Sequence, residues 1–168
     1  LAGDAFDSKI VRHLVAPLLG RGTHYRTQGK RMPVPPWLYS RLERWHHLSF
    51  LRTPKNMDLF DEIAHGAAEP ARIRGLVHIL ENDLGYHLYR AVERAKVALS
   101  GSGTARFVFE DAPLLIEADV SREGFEGWIS EEVSAMSACV DRVLATAGLA
   151  PSDIDRVFLT GGSSFVPA

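Results

Sequence analysis

At 168 residues, with 46% hydrophobic and 24% charged side chains, the chain is long enough for one ordinary domain or two small subdomains and too apolar for wholesale disorder. A formal net charge of -2 leaves no global basic field, so nucleic-acid or anionic-membrane binding would have to come from a local patch. No apolar run approaches the ~20 residues that span a bilayer, and the single cysteine, Cys139, excludes an internal disulfide and reads as a small core residue in a reducing compartment, the cytoplasm.

The first predicted element is a helix. Phe6, Ile10, Leu14 and Leu18 recur at four-residue steps with Val11 and Val15 beside them, Asp4 or Asp7 can cap its start, and Pro17 and Gly20 end it. From Gly20 to Pro36 apolar residues are few and glycine and proline frequent, which predicts a loop. Its basic stretch, Arg21 to Arg31, is the best local patch and reads as a solvated loop. Pro36 suits a helix N-terminus and precedes an apolar face of Trp37, Leu38, Leu42, Trp45 and Leu48. Thr53-Pro54 predicts another cap, leading into Leu59, Phe60 and Ile63. Trp37, Trp45, Phe50 and Phe60 are expected in a core, where aromatic residues dominate. His46 and His47 are adjacent and point about 100° apart on a helix, so they cannot jointly hold one metal ion, and Glu43 and His47 form an exposed pair on one face.

A further helix is expected from Glu69-Pro70 through Ile73, Leu76, Val77 and Leu80, and another from Leu84 through Leu88, Val92, Ala95 and Leu99, stopped by Ser100-Gly101-Ser102-Gly103. Arg106 to Glu110 and Leu114 to Val120 predict a hairpin turning at Glu110-Asp111-Ala112-Pro113. Ser121-Arg122-Glu123-Gly124 then caps a long amphipathic helix through Phe125, Ile129, Val133, Met136, Val140 and Val143, with Gly148 as its stop. Pro151-Ser152-Asp153 is a turn, and Val157-Phe158-Leu159 a short apolar strand that ends in Thr160-Gly161-Gly162-Ser163-Ser164. The order of elements predicts an α+β or α/β unit, mostly helical.

Two segments could carry chemistry. Glycines after a strand let the backbone approach a ligand, successive N–H groups there form an anion-binding concavity, and Ser163 and Ser164 add donors, although Gly-Gly-Ser is equally an ordinary turn. On the second segment, Glu93, Lys96, Val97 and Ser100 share one helix face while Val92, Ala95 and Leu99 pack inward. A carboxylate, an ammonium and a hydroxyl so placed could grip a ribose and a base edge. From the residues alone, a solvated face carrying a Glu93–Lys96 pair explains them as well.

Three signals in one order change that balance. Gly3-Asp4-Ala5-Phe6-Asp7 resembles the Gly-Glu-Asp-Phe-Asp segment of DnaK-type heat-shock chaperones. Glu93-Arg94-Ala95-Lys96 with Leu99-Ser100 resembles that family's adenosine-contacting helix, and Gly161-Gly162-Ser163-Ser164 with Val166-Pro167 its adenosine motif. Ser121-Arg122 with Phe125-Glu126 resembles the return to the inner subdomain. The resemblance implies lobe II of an actin-like ATPase fold, with an outer subdomain over 1–120 that holds a helical insertion at about 20–80. A partial inner subdomain would follow over 121–168. It further implies that Glu93 and Lys96 contact ribose hydroxyls, that Ser100 reaches the adenine edge, and that Gly161 and Gly162 approach the sugar and α-phosphate with Ser163 alongside. Most members sandwich adenine between two arginines; here Val97 and Phe165 stand at those positions, so guanidinium stacking is lost and the slot becomes more apolar. The insertion and these apolar positions are similar to the YegD-like branch.

The family's phosphate-binding loops and catalytic lysine have no counterpart between Leu1 and Ala168, and the chain, opening without methionine, reads as a cut from something larger. The resemblance thus implies ATP or ADP with Mg²⁺ in a parent ATPase, with unfolded protein or a co-chaperone as partners. It implies no catalytic residue, metal ligand, nucleic acid or membrane for this chain. A strand at 157–159 without its sheet would invite self-association. The competing expectation is a non-catalytic interaction module with a vestigial nucleotide pocket. A sugar kinase of the same superfamily fits the Glu93–Ser100 pattern less well.

Overall fold

The computed structural model describes residues 3–160, apart from the Trp45 side chain. Helix α1 (Gly3–Ile10) runs into a π-helical segment, Val11–Val15, and a closing turn, α2 (Ala16–Leu18). Strands β1 (His24–Thr27) and β2 (Lys30–Pro33) follow, then α3 (Pro36–Leu42), a 3₁₀ segment at Trp45–Leu51, α4 (Pro54–Gly66), α5 (Pro70–Glu81) and α6 (Gly85–Gly101). A second strand pair, β3 (Thr104–Asp111) and β4 (Leu114–Ser121), leads into α7 (Arg122–Ala147) and a 3₁₀ turn at Pro151–Asp153. Helix α6 covers one face of β3, α1 lies between α6 and α7, and α4 packs on both α5 and β1.

The long apolar periodicities fold as predicted. Thr53 Oγ1 accepts from the Asn56 amide at the start of α4, and Pro54 and Pro70 occupy first-turn positions that need no N–H. Ala105, Phe107, Phe109, Ile116 and Val120 alternate inward on β3 and β4. Strand β3 runs one residue beyond its expected end at Glu110, through the pair Asp111↔Leu114, and His78 Nε2 of α5 lies 2.7 Å from Asp111 Oδ2. Ser121 caps α7 by accepting from the Gly124 amide, and Gly148, at φ +69°, closes it in the left-handed conformation that glycine adopts without strain.

Several expectations change. The first helix is not uniformly α: the Ala16 amide bonds back to the Val11 carbonyl, five residues away, just before Pro17, which has no N–H to donate. The wider turn moves the buried face on by one residue, so Val15 and Leu19 are fully enclosed while Leu14 and Leu18 only pack against the core.

The loop expected from Gly20 to Pro36 is a hairpin. Thr27 pairs with Lys30 around Gln28-Gly29, whose φ values of +48° and +76° suit a two-residue turn between twisted strands. Tyr25 also bridges to Ala67 beyond α4. A Cβ on Gly66 would strike the Arg26 carbonyl oxygen, so Gly66→Ala should cost roughly 1–3 kcal/mol and lift the hairpin away, read as increased amide exchange over β1.

Of the aromatic core expected around Trp37, Trp45, Phe50 and Phe60, Phe60 is buried, and the Trp45 side chain lies outside the described residues. Trp37 and Phe50 are 45% and 63% exposed, because a seven-residue helix and a 3₁₀ turn bury Leu38, Tyr39, Leu42, Leu48 and Leu51 instead. Nor does Glu43 pair with His47: its carboxylate accepts from Arg12 Nε and Nη2, at 3.0 and 2.9 Å, and from Arg21. Finally, Val157, Phe158 and Leu159 form no ladder and are 75%, 82% and 73% exposed, as no described strand lies beside them to take their N–H and C=O groups. Cys139, expected in the core, is also exposed, together with Met136, Val140 and Val143 on the same helix.

Candidate functional site

Helix α6 presents the predicted residues along two sides. Its inward stripe is Leu88, Ala91, Val92, Ala95 and Leu99, and Lys96 is buried with it. Lys96 Nζ reaches 2.6 Å from Asp7 Oδ1 on α1, and only 11% and 7% of the two side chains remain exposed. Asp7, expected as a helix cap, is therefore the counter-charge of a buried ion pair, while Asp4 sits in the first turn, where a carboxylate suits the helix N-terminus. Burial raises the Asp7 pKa above the ordinary 3.8, and the hydrogen bond and charge of Lys96 only partly offset that; Asp4 and Glu93 add to the rise.

Glu93 lies half-exposed one turn before Lys96 and pairs with Arg90. Together with Asp4, Asp7, Tyr86, Tyr89 and Arg90 it lines a cavity of about 200 Å³ between α1 and α6. Burial, assisted by the charges of Asp7 and Asp4, also pushes the Tyr89 hydroxyl well above its usual pKa, so it stays protonated and able to donate. The cavity joins carboxylate acceptors to a phenol and a guanidinium donor, a set that suits hydroxyl-bearing ligands.

Ser100 lies at the end of α6, half-buried, its Oγ 3.5 Å from the Lys96 carbonyl oxygen. Val97 points outward, 64% exposed. Arg122 of α7 donates from Nε to the Leu99 carbonyl at 2.9 Å and from Nη2 to the Ser100 carbonyl at 3.3 Å, satisfying groups that a helix C-terminus leaves open. Thus Lys96 is turned to Asp7, Glu93 lines the cavity with that same carboxylate, Val97 is exposed, and Ser100 is half-buried at the end of the helix. Gly161, Gly162, Ser163 and Phe165 lie outside the described residues.

Sequence reasoning missed Asp7, Tyr89 and Arg122 as parts of this site. Asp7 did carry a signal, a carboxylate beside Phe6 on the apolar face of a helix, where a charge needs a partner. Among the described residues, no three His, Cys, Asp or Glu side chains converge as metal ligands, and no helix is long and apolar enough to cross a membrane.

A mostly helical chain with two small antiparallel strand pairs, and with a carboxylate–ammonium pair buried beside a polar cavity, is consistent with part of an actin-like ATPase fold. The Hsp70 protein family model matches residues 65–168, and the chain belongs to that family. It is similar to the chaperone protein dnaK3 of Synechocystis sp. (strain ATCC 27184 / PCC 6803 / Kazusa), with 40% identity over 86 residues that span 48% of this chain and 11% of that relative's length.

Proposed function

We propose that this chain supplies the adenosine side of the ATP site of a chaperone-type ATPase. The observation that carries the reading is the α1–α6 contact: Lys96 is fixed by Asp7, which lines the carboxylate-rich cavity together with Glu93, one helical turn from Lys96. Carboxylates accept hydrogen bonds from the paired hydroxyls of a ribose, and a neighbouring ammonium donates to the same hydroxyls. On this reading Ser100 meets the adenine edge, Gly161, Gly162 and Ser163 approach the sugar and α-phosphate, and Val97 and Phe165 make an apolar adenine slot like that of the YegD-like branch. The outer subdomain would then span 1–120 and the partial inner one 121–168. Mg²⁺ would enter with the nucleotide phosphates, and the chain by itself would turn over no ATP. Unfolded polypeptide or a co-chaperone would engage the parent protein, in the cytoplasm, and the exposed Val157–Leu159 segment favours self-association of the isolated chain.

ATP titration into the intact parent protein tests this. Glu93→Ala and Phe165→Ala should each weaken binding roughly tenfold. Affinity left unchanged by both would remove the reading, as would Mg²⁺-stimulated hydrolysis by the 168-residue chain alone in the case of its non-competence. A second reading, a non-catalytic interaction module, is favoured by the exposed Trp37 and Phe50, which lie outside the family match at 65–168. Unchanged nucleotide binding combined with partner capture lost in Trp37→Ala would select it.

A further inference from the structure

The hairpin of β1 and β2 carries a second concavity, away from the α1–α6 contact. Tyr25 pairs with Met32 on one side and makes a single bridge to Ala67, just past the end of α4, on the other. Side chains alternate across a strand. His24, Arg26 and Arg31 therefore share one face of the hairpin, since Arg26 and Arg31 are ladder partners and His24 lies two residues from Arg26. The surface beside them hollows into a cavity of about 510 Å³ that Gly66, Ala68 and Glu69 also line.

The walls of this hollow are basic and uncompensated. Arg26 and Arg31 are directly opposite in the ladder, an arrangement that like charges disfavour. Among the described residues neither guanidinium has a carboxylate partner. Glu69, at the rim, is held by Arg72 Nε at 2.8 Å, and Glu62 accepts from the Thr27 hydroxyl. Two planar forks facing one hollow, with an imidazole beside them, match the oxygens of a compact dianion, which would bridge the two charges and remove their repulsion. A patch this small, on a chain of net charge -2, suits a discrete anion better than a polyanion.

We infer that the face formed by His24, Arg26 and Arg31 beside Gly66 and Ala68 is a binding site for a phosphate monoester group. The site takes up the basic stretch that composition alone reads as a solvated loop. It is independent of the nucleotide reading, because it lies on a different face and uses none of the same side chains.

Thermal unfolding and calorimetric titration of the full chain test it with three probes: inorganic phosphate, a phosphoserine peptide and the same peptide unphosphorylated. At a hundredfold excess over Kd, phosphate should raise Tm by roughly 5–10 °C. Arg26→Gln combined with Arg31→Gln should lose at least tenfold in affinity, while its Tm without phosphate stays equal or rises, because the like-charge pair is gone. Arg31→Lys keeps the charge without the fork and should bind with intermediate affinity, which provides a milder variant if the double one folds poorly. A phosphopeptide bound at least tenfold more tightly than phosphate assigns the site to a phosphorylated protein segment, and equal affinities assign it to free phosphate. No shift at about 10 mM phosphate, where even a millimolar site would be filled, overturns the inference. So does an equal shift in the double variant, or equal binding of the unphosphorylated peptide.

Discussion

Lys96→Ala should destabilise the fold by about 3–5 kcal/mol near neutral pH, measured by urea unfolding. Lys96 and Asp7 are both almost fully enclosed, with 2.6 Å between Nζ and Oδ1. Removing the ammonium leaves a carboxylate with neither water nor a counter-charge. Burial already raises the Asp7 pKa, and Lys96 is the main influence opposing that rise, so the variant should hold its proton still more tightly. The sign follows from linkage. Where the native pKa exceeds the unfolded value, the native state binds the proton more strongly. The stability from that preference is complete below the ordinary carboxylate value and disappears as pH rises through the raised one. The deficit of Lys96→Ala should accordingly be largest at neutral pH and shrink in acid, where Asp7 is neutral. Asp7→Leu with Lys96→Met removes both charges and should recover most of the loss. A deficit independent of pH would show that lost packing, and not a stranded charge, is responsible.

Phe125→Ala should cost about 3–5 kcal/mol and act mainly on one helix. Of the 26 residues of α7, Phe125 and Ile129 are the buried ones, and the Phe125 ring meets Phe6 edge-on at 6.4 Å. The other ties are lighter: Trp128 stacks on His13 at 5.1 Å, and Lys9 Nζ lies 3.0 Å from Glu132 Oε1. Edge-to-face pairing adds to area burial, and without it Ile129 is left as the one fully buried side chain of α7. Amide exchange should therefore rise along α7 while the strands β3 and β4 and helices α4 and α5 keep their protection. Uniform exchange over the whole chain would mean that α7 and the rest unfold as one unit.

What could be read from the sequence depended on how local the cause was. Helices α4, α5 and α6 and the strands β3 and β4 follow from apolar spacing and caps that lie within a few residues of each other. The first hairpin escaped because Gln28 is a poor advertisement for a φ of +48° and only Tyr25 among its strand residues is buried. The exposed Trp37 and Phe50 defeat a composition argument, since ring size says nothing of which side a short helix turns inward. Glu93 and Lys96 were recognisable on one face of α6. The turning of Lys96 to Asp7 was not, because its partner comes from the other end of the chain. Val157 to Leu159 has the composition of a strand, but a strand is defined by its neighbour.

The widened turn at Val11–Val15 has a consequence for how the chain can vary. It acts as a phase adjuster. One surplus residue is absorbed there, so that Phe6 and Asp7 can aim at Phe125 and Lys96 while Leu19, past Pro17, still seats in the interior. A sequence one residue shorter at this point could run as plain α-helix and keep both ends aimed as they are. The same deletion one turn earlier or later would rotate one set of anchors against the other. Length changes in this helix should thus be tolerated at a single place.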